Sequence, residues 1–289
     1  MNILYIGTSG PLSLTPLQAL LDSEHELAAV GLDANRDSYL ADPRASIIAA
    51  ENETIDILAR MTGTPVINLY APLPECVREI SWLQPDIIIV SCFERILPEE
   101  ILSLPKYGCF NLHPSLLPAY RGPAPLFWQF RDGTSETGIS LHRMTSKIDA
   151  GPVVAQQAVS LPDGVSNMQA TSLLAQRGAQ LILDFLMRLE NGGVVERIQH
   201  EPEASYMGVP HDDDFRVSTD WPARRIYNFM NATGHWGRGY PCEHDGGPCT
   251  LAQADSFTDS PTAPEVDADG GNTLVLRCNP GFLVARLLV

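Results

Sequence analysis

Basic residues are scarce in this sequence. Its 289 residues include 19 Lys and Arg against 35 Asp and Glu, which gives a formal net charge of −16. No run of five or more residues is rich in Lys or Arg. Because affinity for phosphate backbones comes mainly from these cations, the composition weighs against nucleic acid as a partner.

Long apolar runs are absent as well. No segment approaches the ~18 consecutive apolar residues of a membrane span, and the first ten residues lack the basic region and apolar core of a signal peptide. The six cysteines show no framework spacing, which in a chain this long indicates free thiols in a reducing compartment. We therefore expect a cytoplasmic protein without a membrane partner.

A metal site is not predicted either. Cys242, His244 and Cys249 lie close together in the sequence, but four ligands at the spacing of a structural zinc site are not present. The Gly and Pro residues around them indicate a loop instead.

The first 32 residues follow the order strand, helix, strand. Asn2–Ile6 and Leu27–Leu32 are short apolar runs typical of strands, and between them Thr15 followed by Pro16 matches the start of a helix. This order favours a parallel sheet with a right-handed crossover. The glycines of the segment GTSGPLS do not complete the G-x-G-x-x-G pattern, so a plain nucleotide-binding module is only an alternative.

The strongest strand prediction is Asp86–Ser91, whose nearly unbroken β-branched run indicates a central parallel strand buried on both faces. We predict an α/β protein with an open, mostly parallel, Rossmann-like sheet and helices on both faces. Beyond residue 205, short strands and loops rich in Gly, Pro and Asp replace this pattern. We therefore predict a main domain at 1–205, a linker at 206–215 and a small β-rich domain at 216–289.

The segment Cys109–Pro125, CFNLHPSLLPAYRGPAP, carries the clearest sign of function. Asn111 and His113 are two residues apart near the end of a predicted strand, so their side chains project from the same face. Pro114 cannot donate to a sheet ladder and ends the strand. Polar side chains at a strand end indicate a binding site, since ligands of open α/β sheets bind beyond the carboxyl ends of the strands.

Three motifs in this region resemble the formyltransferase family that uses 10-formyltetrahydrofolate. They are LPKYGCFNLHPSLLPAYRGPAP at Leu104–Pro125, ETGISLHRM at Glu136–Met144 and KIDAGPV at Lys147–Val153. The resemblance implies a one-carbon transferase whose co-substrate is 10-formyltetrahydrofolate, and a barrel-like form for the small C-terminal domain.

The resemblance also implies site residues. Asn111, His113 and Asp149 correspond to the catalytic trio, and the pterin of the folate is expected among the loops Ser91–Leu97 and Leu141–Asp149. The residues that we assign to folate binding are Phe93, Arg95, Ile96, Leu97, Leu141, Arg143, Ser146 and Asp149.

For the acceptor substrate we assign residues from two loops: Ser9, Gly10, Ser115, Arg121 and Gly122. Two roles remain open for Arg121, which can hold its own loop or contact the substrate.

The chemistry of formyl transfer explains the trio. Attack by a neutral amine places negative charge on the formyl oxygen, and the Asn111 amide is an uncharged donor for it. His113 can donate as an imidazolium or carry a proton from the amine to the leaving nitrogen. Asp149 can favour the charged ring or accept the proton of the amine itself.

The acceptor is predicted from charge. Methionyl-tRNA enzymes of the family carry a basic insertion where this chain has residues 33–52, a segment with two arginines and four acidic residues. We therefore predict a small-molecule amine, either a nucleotide-linked amino sugar or an amino acid precursor, and a monomer or homodimer. The alternatives are a methionyl-tRNA formyltransferase and a folate-binding formyl hydrolase.

Overall fold

The structure is a computed structural model that describes residues 1–33, 54–134, 136–244, 247–265 and 272–288. The loop and short helix expected at 33–50, and nearly all of the segment 33–52 that bears on tRNA binding, lie outside these ranges. Close contacts divide the chain into two compact units. The first comprises Met1–Pro123, Thr137–Val159 and Thr171–Tyr206, and the second Ala124–Glu136, Ser160–Ala170 and Met207–Val289. The predicted division at 206–215 stays a prediction.

The first unit is built on a seven-stranded sheet, counted over the described residues. Its strands are β1 (Asn2–Gly7), β2 (Glu26–Leu32), β3 (Val66–Asn68), β4 (Ile87–Ser91), β5 (Cys109–His113), β6 (Glu136–Arg143) and β7 (Val153–Ser160). They lie in the order β3-β2-β1-β4-β5-β6-β7. The pairs from β3 to β5 are parallel, and β5 pairs with β6 antiparallel. The predicted open, mostly parallel α/β sheet is confirmed.

Helices connect the strands of this sheet. They are α1 (Pro11–Leu21), α2 (Ile55–Thr62), α3 (Leu73–Leu83), α4 (Glu99–Leu102) and, after β7, the long α6 (Asn167–Glu190). The strand order reverses direction between β1 and β4. Right-handed crossovers on either side of such a reversal lead to opposite faces of the sheet. The same reversal opens the crevice in which α/β proteins bind ligands.

The start of α1 corrects the prediction that Thr15 caps the helix and Pro16 takes its first position. The helix begins at Pro11, and Gly10 precedes it with a φ of 77°. Gly10 adopts this left-handed backbone conformation without the steric cost that a Cβ would bring. The rule that proline favours the first helical position was right, but it applied to the earlier proline.

Pro16 lies inside α1, and a hydrogen bond from strand β4 compensates for the one that this proline cannot make. Because Pro16 has no N–H, it cannot bond to the Leu12 carbonyl one turn earlier. The Ser91 hydroxyl, at the buried end of β4, donates to that carbonyl over 2.6 Å. Nearby, the Tyr5 hydroxyl donates to the carbonyl of Ser13 over 2.7 Å. The polar groups of β1 and β4 therefore stabilise the proline-containing helix.

The strand β5 ends at His113, as predicted, and separates two environments. Phe110 and Leu112 lie on the face that α6 covers, where the Phe110 and Phe185 rings are 4.7 Å apart. Gly178 of α6 approaches so closely that a Cβ there would be 2.5 Å from Leu112 Cδ2. The alternate residues, Asn111 and His113, therefore project from the opposite face.

The second unit contains two helices and a small antiparallel sheet. Its elements are α5 (Pro125–Asp132), α7 (Ala223–Thr233), β8 (Tyr240–His244), β9 (Gly247–Thr258), β10 (Thr273–Arg277) and β11 (Phe282–Leu287). The strands lie in the order β10-β11-β9-β8. This sheet confirms the predicted β-rich C-terminal part.

An aromatic cluster joins the helices of the second unit. Phe127 of α5 lies 5.1 Å from Phe215, 5.4 Å from Phe229 and 5.7 Å from Trp236, measured between ring centroids. Three of these rings come from residues 215–236, and the fourth comes from a helix about ninety residues earlier in the chain. The core of this unit is therefore assembled from distant parts of the sequence.

The sequence predicted neither a membrane-spanning segment nor a metal site. None of the helices in the described residues has the length and hydropathy of a membrane span. Over the same residues, no group of three or more His, Cys, Asp and Glu side chains is placed to hold a metal ion. The prediction of no metal site stays a prediction.

Candidate active site

The three predicted catalytic residues meet at the end of β5. Asn111 Nδ2 lies 3.4 Å from Asp149 Oδ1, and His113 Nδ1 lies 3.7 Å from Asp149 Oδ2. Asn111 and His113 come from the strand, whereas Asp149 comes from the loop that follows β6. The fold therefore brings together side chains that are 36 to 38 residues apart along the chain.

Local backbone geometry places Asp149. Its φ of 49° is left-handed, a conformation that Asp adopts more readily than most residues. The Gly122 N–H donates to Asp149 Oδ2 over 2.9 Å. Gly151 permits the turn, because a Cβ there would lie 1.8 Å from the Arg143 carbonyl oxygen. The glycine of the motif is thus required by the close approach of two backbone segments.

A fourth polar side chain, His142, was missed by the sequence analysis. The register of β5 and β6 places it directly opposite Asn111, with Nε2 3.3 Å from Asn111 Nδ2 and 3.4 Å from Asp149 Oδ1. Residues directly opposite in an antiparallel pair share one face of the sheet. The pairing of β5 with β6, had it been predicted, would have revealed this histidine.

The hydrogen bonds of His142 depend on its charge. Its Nδ1 lies 3.0 Å from the Arg143 carbonyl oxygen, which can only accept, so Nδ1 carries a hydrogen. In the neutral ring Nε2 accepts from the Asn111 amide, and in the charged ring it donates to Asp149. The ring can therefore hold either neighbour in place.

Asp149 is ionised across the physiological range. Burial acts to raise the pKa of its carboxyl group, but the hydrogen bond with His142, the charges of His113 and His142 and the Gly122 amide outweigh it and lower the pKa to about 2. Asp149 is therefore an anion and can only accept hydrogen bonds.

His113 is held in its neutral form. Burial lowers the pKa of its ring below the usual value, while the charge of Asp149 and the hydrogen bond to Tyr120 act in the opposite direction. Nε2 lies 2.9 Å from the Tyr120 carbonyl oxygen and therefore carries the hydrogen. The lone pair of the neutral ring is on Nδ1, the atom that faces Asp149.

Among the predicted substrate residues, Arg121 is engaged within the protein. Its Nε and Nη2 donate to Gln199 Oε1 over 3.1 and 2.9 Å, and its Nη1 and Nη2 donate to Glu201 over 3.1 and 2.9 Å. The side chain is buried. Of the two roles left open for Arg121, these contacts support that of holding its loop.

The remaining predicted substrate residues lie in two places. Ser115 is fully buried, and its hydroxyl donates to the Ala119 carbonyl over 2.7 Å, so its side chain supports the loop after β5. Gly122 contributes its backbone N–H to Asp149. Ser9 and Gly10 lie between β1 and α1, beside the reversal of strand order. Their assignment to substrate binding stays a prediction.

The two loops predicted to bind the pterin pack against the same part of the hydrophobic core. Phe93 and Leu97 from the first loop and Met144 from the second contact one hydrophobic cluster beneath β4. Ile96 is 64% exposed, so it leaves apolar surface next to the buried Leu97. Binding of the pterin by these two loops stays a prediction.

Two of the residues assigned to folate binding, Arg143 and Leu141, have side chains that contact other parts of the protein. Arg143 pairs with Glu196, donates to the Tyr107 carbonyl over 2.8 Å and lies over the Phe110 ring at 4.7 Å. Leu141 is fully buried. Of the two, Leu141 offers a ligand only its backbone, whereas 33% of the Arg143 side chain stays exposed.

The other two assigned residues are exposed. Arg95 donates to the Leu69 carbonyl over 2.7 Å and stacks over the Tyr70 ring at 5.7 Å, and Ser146 is on the surface. All eight assignments stay predictions.

Comparison with known proteins identifies the class to which this fold and site belong. Residues 50–186 match the family model described as formyl transferase. A methionyl-tRNA formyltransferase from Synechococcus sp. (strain JA-3-3Ab) is 32% identical over 234 residues, which cover 80% of this chain and 71% of that protein. The chain belongs to the formyltransferase family, as its motifs predicted, and is an N-formyltransferase. The formyl donor of the family is 10-formyltetrahydrofolate.

Solved structures share the fold. The sugar 3N-formyl transferase WlaRD, solved with dTDP and 5-N-formyl-THF, superposes with a TM-score of 0.70 at 16% identity over 100% of this chain and 98% of that one. An N-formyltransferase from Helicobacter canadensis, in complex with folinic acid and dTDP-3-aminofucose, gives 0.71 at 15% identity over 99% of both chains. HypX from Aquifex aeolicus with tetrahydrofolic acid gives 0.62 at 17% identity over 98% of this chain and 43% of HypX. At these identities the likeness shows the fold alone.

Proposed function

We propose that this protein transfers the formyl group of 10-formyltetrahydrofolate to the primary amine of a small molecule, either a nucleotide-linked amino sugar or an amino acid precursor. The observation that carries the proposal is the convergence of Asn111, His113 and Asp149, with a neutral imidazole and an ionised carboxylate in contact. When bound, 10-formyltetrahydrofolate supplies the formyl carbon on a nitrogen that can leave.

Asn111 is the donor for the formyl oxygen. Its amide carries two hydrogens: donation of one to Asp149 Oδ1 orients the side chain, and the other, which lies toward His142 in this structure, must turn from His142 to reach the formyl oxygen. An uncharged donor held in place before the reaction stabilises the negative charge that develops on this oxygen, and removing one such donor costs about 2.7–4 kcal/mol.

His113 and Asp149 move the proton. The attacking amine must lose a proton, and the leaving nitrogen must gain one. The neutral His113 ring can accept that proton on Nδ1, and the adjacent Asp149 carboxylate stabilises the ring once it is charged. Of the two roles predicted for His113, its lowered pKa favours proton transfer over donation from a permanent imidazolium.

The choice of a small acceptor rests on charge. A net charge of −16 disfavours a polyanion such as tRNA, whose binding depends on cations that neutralise phosphates. The methionyl-tRNA formyltransferase of Synechococcus, at 32% identity, supports the second candidate, a tRNA acceptor. The two candidates predict different formylated products.

The test incubates the protein with 10-formyltetrahydrofolate and three acceptor classes: nucleotide-linked amino sugars, amino acids and initiator methionyl-tRNA. Mass spectrometry measures N-formyl product and free formate, with Asn111→Ala as the background control. We expect N-formyl product from a small amine and no salt-sensitive retention of methionyl-tRNA in filter binding. Formylated methionyl-tRNA as the sole product supports the second candidate, and formate without any N-formyl product indicates a hydrolase.

A further inference from the structure

Gln199 lies beside the active site although it belongs to none of the three motifs. It follows α6 in the chain, 50 residues after Asp149 and 78 after Arg121. Only 7% of the residue is exposed. A buried amide needs partners for its two hydrogens and for its oxygen, so its contacts reveal what it holds.

The amide of Gln199 joins the two loops that form the site. Its Nε2 donates to the backbone carbonyls of Asp149 and Gly151, both over 2.7 Å. Its Oε1 accepts from Nε and Nη2 of Arg121, over 3.1 and 2.9 Å. One side chain therefore ties the loop after β6 to the loop after β5, and its hydrogen-bonding capacity is fully used.

Both of the loops that Gln199 joins determine where the Asp149 carboxylate lies. The left-handed φ of 49° at Asp149 costs about 1–2 kcal/mol for a residue with a Cβ, so surrounding contacts must maintain it. On the other loop, Gly122 follows Arg121 and donates its N–H to Asp149 Oδ2. If either loop shifted, the carboxylate would move away from His113.

We propose that Gln199 is a positioning residue for catalysis, which holds the Asp149 carboxylate against His113 by clamping both loops. This inference rests on the proposed function of Asp149 and His113 in formyl transfer. It assigns to the segment after α6 a part in the reaction that none of the sequence motifs indicates.

The test uses Gln199→Glu. This variant retains the length of the side chain and an acceptor for Arg121, but it replaces the two N–H donors that face Asp149 and Gly151 with oxygen. The matched control is Glu201→Gln, which weakens the contact between Arg121 and its other partner. Glu201 is 69% exposed, and its substitution leaves Asp149 untouched. Gln199→Met, which lacks both donors and any charge, is the variant for the pH titration, and it replaces Gln199→Glu in the kinetics if the latter does not fold.

The first readout is independent of turnover. Because the Asp149 carboxylate acts to raise the pKa of His113, its displacement in Gln199→Met, which adds no charge of its own, must lower the pH at which His113 titrates by NMR. The His113 resonance is assigned from its loss in His113→Asn. We expect a shift to lower pH in Gln199→Met and no shift in Glu201→Gln. An unchanged titration in a folded Gln199→Met variant overturns the inference, whatever the acceptor proves to be.

The second readout separates this inference from the proposed function. If wild type forms N-formyl product, Gln199→Glu should lower kcat about 10- to 100-fold, the loss expected when a catalytic group moves by about 1 Å. KM for the folate should stay within about two-fold, and the loss should not add to that of Asp149→Asn. Equal kcat in wild type and Gln199→Glu contradicts the inference. A wild type that forms no product contradicts the proposed function alone, since the NMR titration still decides on Gln199.

Discussion

Asp149 contacts each of the other polar groups of the site, so its neighbours act through one carboxylate. Its Oδ1 faces Asn111 and His142, and its Oδ2 faces His113 and the Gly122 amide. Two of these partners, the Asn111 amide and the Gly122 N–H, donate in every protonation state, whereas each histidine donates to the carboxylate only when its facing nitrogen carries a hydrogen. Substitution of any one partner therefore alters the environment of the others.

Replacement of Asn111 by Ala should lower kcat by about 10²–10³-fold, the loss measured for a single oxyanion donor. Folate affinity should change little, because the loops predicted to bind the folate, which contain Phe93, Leu97 and Met144, follow β4 and β6, whereas Asn111 belongs to β5. Single-turnover kinetics with a quantified Kd for tetrahydrofolate separates the two effects. Wild-type kcat in Asn111→Ala excludes this role, and a Kd weakened as much as kcat assigns the residue to binding.

The pH dependence of kcat should show an acidic limb that belongs to His113. The neutral ring is the proton acceptor, and burial lowers its pKa below the usual 6.5, so kcat should rise with pH through a value below 6.5. In Asp149→Asn the charge that acts to raise this pKa is lost, so the limb should shift to lower pH.

The measurement is kcat from pH 4.5 to 8 for both proteins, with stability checked at each pH. An acidic limb that shifts to higher pH in Asp149→Asn contradicts the assigned electrostatics. A limb that vanishes in His113→Asn with residual activity retained supports its assignment to this ring.

Single residues were predictable to different degrees. Asn111 and His113 follow from a two-residue spacing in one strand, and Asp149 follows from the family resemblance. His142 requires the register of β5 against β6, and Gln199 requires a contact across 50 residues of chain. Local patterns do not contain this information, since hydrogen bonds between distant segments exist only once the sheet is assembled.

At the scale of elements, Gly178 determines how closely α6 approaches the catalytic strand. A Gly-to-Ala change inside a helix usually stabilises it by about 0.5–1 kcal/mol. Here the new Cβ would lie 2.5 Å from Leu112 Cδ2, so we expect a loss of about 1–3 kcal/mol from overpacking. Urea unfolding of Gly178→Ala measures this loss.

The control is Gly234→Ala at the end of α7. Gly234 has a φ of −57°, and a Cβ there would meet nothing within 4 Å. It should therefore unfold at the same or a slightly higher urea concentration than wild type. Equal urea midpoints for the two variants would show that α6 and β5 leave room for a Cβ at position 178.

Element bounds were predictable where a pattern is local, but two expectations were wrong. Cys242, His244 and Cys249, which were expected in a loop, lie in the paired strands β8 and β9, and α1 begins before its predicted cap. β5 ends at its predicted residue, and β4 begins one residue later than expected. Pro11 and Pro16 both satisfied the rule for the first helical position. The Ser91 hydroxyl, 79 residues from Leu12, donates to the carbonyl that Pro16 leaves unbonded. The sequence around Pro16 contains no sign of this hydrogen bond.

At the scale of the whole molecule, the apolar strands were enough to predict a mostly parallel sheet. They did not predict that β6 would pair antiparallel with β5. A parallel core is announced by β-branched runs such as Ile87–Val90. An antiparallel neighbour depends on how the chain returns after α5, which belongs to the second unit. The proposed division into 1–205, 206–215 and 216–289 meets the same difficulty, because the second unit also draws residues from before position 205.

This sharing predicts the outcome of limited proteolysis. Met207–Val209 and His211–Asp213 lie in the proposed linker and are mostly exposed, so a protease should cut there first. The N-terminal fragment would retain α5, whose Phe127 packs against Phe229 and Trp236 of the C-terminal fragment. Burying such aromatic side chains contributes several kcal/mol, so the two fragments should stay associated.

Size-exclusion chromatography followed by mass spectrometry of the nicked protein checks this expectation. Both fragments should elute together, and Phe127→Ala should separate them at lower denaturant than the nicked wild type. Leu126→Ala, on the same helix, is a control for general loss of helix packing. Separate elution of nicked wild type would mean that residues 216–289 hold together without α5 and form a domain of their own, and the boundary would then lie where the sequence pattern alone places it.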